Sequence, residues 1–180
     1  MDEQRKSPSL TEHDKFWQVD EEEVGIMKDK ILGRGAWGYV AEGRYRKTRV
    51  DIKLVYPEIM QGGTLDCIKR EINIMAQVRH PNLVLFIAAI LDEKQGPKII
   101  MEPMDMSLHR AYEEKQLTNN QQKMKVLKDV ACALHFLHTN KPQEIVHRDV
   151  SSANVLLETL ADNRRQSCQT LDQLTFFAMQ

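Results

Sequence analysis

An α+β fold in two parts is what this sequence predicts: a five-stranded antiparallel sheet carrying one helix, followed by a mainly helical portion. Three observations lead there. Short β-branched and aromatic runs broken by Gly and charged residues fill Val24 to Tyr56, the alternation of half-buried strands. Apolar residues then switch to helical spacing at Leu65, Ile68, Ile72 and Met75, one face of an amphipathic helix. Beyond Glu102 the helical period returns and dominates.

The elements follow in order. "VGIMKDKILG", "GYVAEGRYR" and "RVDIKLVY" read as three antiparallel strands. "TLDCIKREINIMAQV" is the helix, ended before "RHPN" by Pro81. "NLVLFIAAIL", the turn residues "DEKQGP" and "KIIME" make a hairpin that completes five strands. "NNQQKMKVLKDVACALHFLHTN" puts Met124, Leu127, Val130, Ala131, Leu134 and Leu137 on one face of a long helix ending near Asn140 and Pro142. Residues 1–23 are polar and read as a disordered arm whose Phe16, Trp17 and Val19 can anchor its end. The acidic run Glu21 to Glu23 reads as solvated.

Composition limits the function classes. With 180 residues, 42% of them hydrophobic, the chain has the material for a sizeable core. A formal charge of −1 gives no global pull toward nucleic acid or a membrane surface, so neither is expected as a partner. Cys67, Cys132 and Cys168 are scattered and odd in number, which suits free thiols in a reducing compartment. The start lacks the apolar core of a signal peptide, and no apolar run approaches membrane-spanning length. A cytoplasmic location is the expectation. The six His and three Cys form no ligand cluster.

Three constellations carry chemistry. "GRGAWGYV" sets Gly33, Gly35 and Gly38 in a G-x-G-x-x-G arrangement, and a strand rather than a helix follows it. It is either a flexible β-turn or a hairpin lid whose backbone approaches phosphates, with Trp37 as a core aromatic or a cover. Lys53 lies within the apolar strand "VDIKLV", and Glu71 shares the apolar face of the helix. Two misfits of opposite sign on consecutive elements argue for a pair, against the alternative that each snorkels to solvent. "HRDVSSANVLL" supplies Asp149, a carboxylate able to take a hydroxyl proton, and Asn154, whose carbonyl suits a hard cation. Taken alone that stretch reads equally as a surface turn.

In this order and spacing the features resemble the protein-kinase family, most closely its tyrosine-kinase-like group of mainly Ser/Thr kinases, over about Val24 to Leu157. The resemblance implies an ATP- and Mg²⁺-dependent phosphotransferase acting on protein Ser/Thr hydroxyls, with residues 24–104 as small lobe and hinge and 105–157 as part of a mainly helical large lobe. It makes Gly33, Arg34, Gly35, Ala36, Trp37, Gly38 and Val40 the lid over ATP. Lys53 then holds the phosphates and Glu71 orients Lys53. Met101 becomes the residue before the hinge, and Glu102 to Met104 the segment that bonds adenine. His147, Arg148 and Asp149 become the catalytic triplet, with Asp149 as base and Asn154 as metal ligand.

The sequence departs from the family in three places. Asp51 stands where the family carries a small Ala two residues before the strand lysine. Sharing a face with Lys53, it is expected to compete with Glu71 for the lysine and to oppose the phosphates, weakening ATP binding. Ser151 replaces the usual Lys and removes the clue to acceptor type. No Asp-Phe-Gly follows Leu157, and Asp172 in "LDQL" lacks the Phe-Gly that would make it a metal ligand.

Residues 158–180 therefore read as a non-family tail. Codon degeneracy permits Arg165 to Thr175, read two bases later, to spell "AKLSDFGSANF", so an out-of-frame reading is expected. Sequencing the transcript checks this; a frame without that motif in any register removes the idea. Without its metal carboxylate the truncated chain is expected to be inactive, its long helix poorly supported and prone to association. The alternative function is a pseudokinase-like module that binds partner proteins or an intact kinase.

Overall fold

A computed structural model of the chain describes residues 16–60, 64–92, 94–159 and 166–170. Five antiparallel strands, β1 (Val24–Gly35), β2 (Gly38–Tyr45), β3 (Thr48–Val55), β4 (Phe86–Ile90) and β5 (Lys98–Met101), form one sheet in the order β1-β2-β3-β5-β4. Between β3 and β4 runs α1 (Thr64–Gln77). Arg46 and Lys47 both take positive φ in the two-residue turn that joins β2 to β3. That geometry matches the twist of the strands it connects.

The period of two along β3 divides its side chains between two cores. Val50 and Ile52 face a layer with Val24, Ala88, Ile90 and Ile100. Val55, on the opposite face, joins Phe86, Ala89 and Ile99 against Ile68, Ile72, Met75 and Ala76 of α1. Asp51 and Lys53 lie on that second side by the same alternation. The predicted helical stripe of α1 is the one that packs.

The chain is already ordered before Val24. Trp17 is buried in the α1 core, its ring edge-on to Phe86, and its indole N–H donates to Asn73 Oδ1 at 2.7 Å. Around it the Ala89 N–H donates to the Trp17 carbonyl (2.9 Å) and the Val19 N–H to the Ala89 carbonyl (3.0 Å). The segment from Trp17 thus packs on the first sheet and α1, while residues 1–15 of the expected arm lie outside the described residues. The acidic run is not simply solvated either. Glu21 pairs with the buried Lys98 ammonium at 2.6 Å, and Glu23 pairs with Arg46. Lys98 sits inside β5, where a buried cation needs a counterion.

After β5 come β6 (Met106–Ser107), α2 (Leu108–Glu113), α3 (Asn120–His138), β7 (Val155–Thr159) and β8 (Gln166–Thr170). The three strands form a second sheet in the order β6-β7-β8. Asn119 starts α3 with a reciprocal capping box to Gln122. The face turned inward is shifted from the one the spacing predicts, sharing Leu137 and the partly buried Val130 with it. Val126, Ala133 and Leu137 are buried, while Met124 and Leu127 stay about 60% exposed (63% and 62%). Apolar residues surround α3 on most sides, so tertiary partners choose the face. Val155 and Leu157 receive Val126, and Val78 and Leu83 receive Ala133 and Leu137. β8, pairing with β7 at 166–170, lies within the expected tail, whereas Asp172 falls outside the described residues.

Candidate functional site

A cleft of about 570 Å³ opens between the two sheets. Its roof is the β1–β2 hairpin, with Gly35 paired to Gly38 and Ala36–Trp37 at the tip. The Tyr56 N–H donates to the Trp37 carbonyl (3.0 Å) and ties that tip to the end of β3. The three glycines are there for different reasons. A Cβ at Gly38 would lie 2.0 Å from the Leu54 carbonyl oxygen, so packing of β2 on β3 demands glycine. A Cβ at Gly33 would meet nothing within 4 Å, and one at Gly35 only the Gly38 oxygen at 3.8 Å. Close packing within the chain does not require glycine at those two, and their backbone lines the open cleft.

Of the residues singled out from sequence, Gly33, Arg34, Gly35, Ala36, Trp37, Gly38, Val40, Lys53, Glu102, Met104, Asp149 and Asn154 all line this cleft. Glu71 stands behind it on α1. Burial brings the Lys53 ammonium down to about 8, while the negative charges of Glu71 and Asp149 pull it back up. Both carboxylates therefore act on this one cation. By surface area Lys53 is half-buried, its open side being the cleft.

Asp149 is placed by its own loop. Its N–H donates to the His147 carbonyl at 2.9 Å, and Arg148 between them takes φ 63°. The Asn154 amide donates through Nδ2 to the Asp149 carbonyl (2.9 Å), closing the loop on itself. Asn154 Oδ1 is buried with no hydrogen-bond partner. An orphaned buried oxygen in a cleft that Asp149 also lines suits a hard cation. Among the described residues no group of three or more His, Cys, Asp and Glu could hold a metal by itself. The residues fit Mg²⁺ as one protein oxygen supplementing phosphate and water oxygens, which is how that ion is commonly held.

Asp51 departs from expectation. It lines the cleft and is only 5% exposed, yet it turns to the segment after β5 rather than to Lys53. The Met104 N–H donates to its Oδ2 at 3.0 Å, and its Oδ1 is buried without a partner. Burial pushes its carboxyl up to about 6, with Glu42 and Asp105 adding to the rise; the Met104 N–H and Arg49 oppose it. The competition with Glu71 for Lys53 does not occur in this arrangement: the Met104 N–H holds the Asp51 carboxylate, and the charges acting on Lys53 are those of Glu71 and Asp149.

Sequence reasoning also passed over Leu32, Val84 and Leu156, apolar side chains on the roof and floor of the cleft. Leu32 precedes the first glycine of the loop and Leu156 lies in "NVLL", so strand alternation was the available signal.

The family model described as protein tyrosine and serine/threonine kinase matches residues 26–170. The chain belongs to the protein kinase family. The match continues past Leu157 to the end of β8. Among curated relatives of this kinase chain, the serine/threonine-protein kinase VIK of Arabidopsis thaliana is 27% identical over 142 residues, covering 78% of the chain and 32% of the relative. The dual specificity protein kinase shkC of Dictyostelium discoideum is 28% identical over 148 residues, covering 78% of the chain and 28% of its own length. The dual specificity protein kinase zakA of the same organism is 35% identical over 153 residues, covering 79% and 19%. The kinase chain thus spans about a third or less of each of these relatives. Protein kinases in general use ATP and Mg²⁺. No helix among the described residues is long and apolar enough to cross a membrane.

Proposed function

We propose that the cleft binds ATP with Mg²⁺ and that the chain carries the phosphotransfer site of a kinase acting on protein Ser/Thr hydroxyls. One observation supports it above the rest: the backbone left open at Gly33 and Gly35 faces the same cleft as Lys53, Asp149 and Asn154. In this reading the lid amides and the Lys53 ammonium hold phosphate oxygens. Asp149 accepts the proton of the attacking hydroxyl, and the orphaned Asn154 Oδ1 is a metal ligand. Mg²⁺, when bound, supplies charge neutralisation across the phosphates. Glu71 keeps Lys53 charged and in place.

Transfer by these residues alone is expected to be negligible, since Asn154 brings a single neutral oxygen to the metal and Asp51 lies in the cleft. The buried Asp51 carboxylate favours the second reading, a pseudokinase-like module that binds a partner protein or an intact kinase. Thermal shift separates the two. Millimolar Mg·ATP should raise the melting temperature of the chain measurably, and Lys53→Met should abolish the rise. No rise in the native chain or in Asp51→Ala leaves partner binding as the role. The surroundings are cytoplasmic in either reading.

A further inference from the structure

The backbone donors along the wall of the cleft after β5 are all committed. The Glu102 N–H donates to the Leu85 carbonyl (3.0 Å) and the Asp105 N–H to the Leu157 carbonyl (3.1 Å). Pro103 has no N–H. The Met104 N–H is left, and it donates to Asp51 Oδ2. No backbone N–H from 102 to 105 remains for a ligand entering the cleft.

We propose that Asp51 is the built-in occupant of this wall, taking the Met104 N–H that a nucleobase acceptor needs, and that it governs nucleotide affinity by this hydrogen bond rather than by repelling phosphates. The proposal rests on the nucleotide reading above. Its force comes from the geometry of β3. Asp51 and Lys53 point to the same side, but Asp51 is paired across the sheet with Met101, which places its carboxylate beside the chain leaving β5. The bond is charge-assisted and intramolecular, so a neutral ring nitrogen competes with it at a disadvantage. Oδ1 makes the arrangement displaceable. Its missing partner means that the carboxylate regains full hydration by swinging out, which a ligand of sufficient affinity can exploit.

Charge and occupancy are separable, because Asn keeps a carbonyl acceptor for the Met104 N–H and loses the charge. Three proteins are compared by calorimetric titration with Mg·ATP: the native chain, Asp51→Ala and Asp51→Asn. Hydrogen exchange at the Met104 amide is followed in each without nucleotide. Asp51→Ala is expected to bind about tenfold more tightly than the native chain, the equivalent of one hydrogen bond regained. Asp51→Asn is expected to gain roughly threefold or less, since a neutral bond of about half the strength still occupies the donor. The Met104 amide should be protected in the native chain and in Asp51→Asn, and should lose protection in Asp51→Ala.

Equal recovery in the two variants overturns the proposal in favour of charge repulsion. Equal affinity of the native chain and Asp51→Ala, or a Met104 amide unprotected in the native chain, overturns it outright. If Asp51→Ala frees the Met104 amide yet binds no nucleotide, the nucleotide reading of the cleft falls, and the role of Asp51 in nucleotide affinity falls with it.

Discussion

Gly38→Ala should cost the chain at least about 3 kcal/mol of stability, while Gly33→Ala and Gly35→Ala stay within roughly 1 kcal/mol of the native chain. The new Cβ at Gly38 would lie 2.0 Å from the Leu54 oxygen, 2.9 Å from the Leu54 carbonyl carbon and 3.1 Å from the Val55 Cα. All three are backbone atoms of β3, and β3 is held on its far side by β5. No side chain can rotate away, so β2 must lift from β3 and take the lid with it. At Gly33 and Gly35 the same methyl enters open space. Denaturant unfolding of the three variants measures this directly. A native-like Gly38→Ala would show that the two strands are not in this register. The same experiment bears on function, because variants at Gly33 and Gly35 that fold normally yet lose nucleotide binding identify those glycines as ligand contacts.

Asp51 should make the chain less stable at neutral pH than in mild acid. Its carboxyl is raised from 3.8 to about 6, so between those values the folded state holds a proton that the unfolded state has released. Stability therefore falls as pH rises through this window, and the cost is complete above pH 6. The groups acting on it are Glu42 and Asp105, which push the carboxyl up, and Arg49 and the Met104 N–H, which lower it. Less than the full shift is expected to appear, because the chain around the cleft wall can relax about the charged carboxylate; the Asp51→Asn variant should gain about 1 to 2 kcal/mol on the native chain between about pH 4.5 and pH 7.5. Urea unfolding of both proteins at several pH values gives the gap. Every other titrating group is common to the two, so its pH dependence isolates Asp51. A gap that does not change with pH would mean that Asp51 titrates normally.

What the sequence made legible was whatever is local and periodic. Strand alternation placed Asp51 and Lys53 on one side of β3, and helical spacing chose Ile68, Ile72 and Met75 as the buried stripe of α1. Motif spacing brought the lid, Lys53, Asp149 and Asn154 to one cleft. The pairing of Lys53 with Glu71 was open to the same reasoning, but the partners of Asp51 and Lys98 were not legible. Asp51 finds its donor 53 positions away at Met104, and Lys98 finds Glu21 77 positions away. Nothing in a local window encodes such pairs, because burial in the finished fold creates the need for them. α3 failed differently, since its apolar residues lie on several sides and the elements packed on it select the stripe. α2, six residues long, is too short for a period to register.

β4 is the last strand in its sheet order, and an end strand offers unpaired backbone groups to any other extended chain. The segment around Trp17 uses both the N–H and the carbonyl of Ala89, with Gln18 bridged parallel to that residue. This short run before the first strand therefore acts as a selvedge. It finishes the border of the sheet, so that strand addition from a second molecule at Ala89 must first unpick a tryptophan from the core.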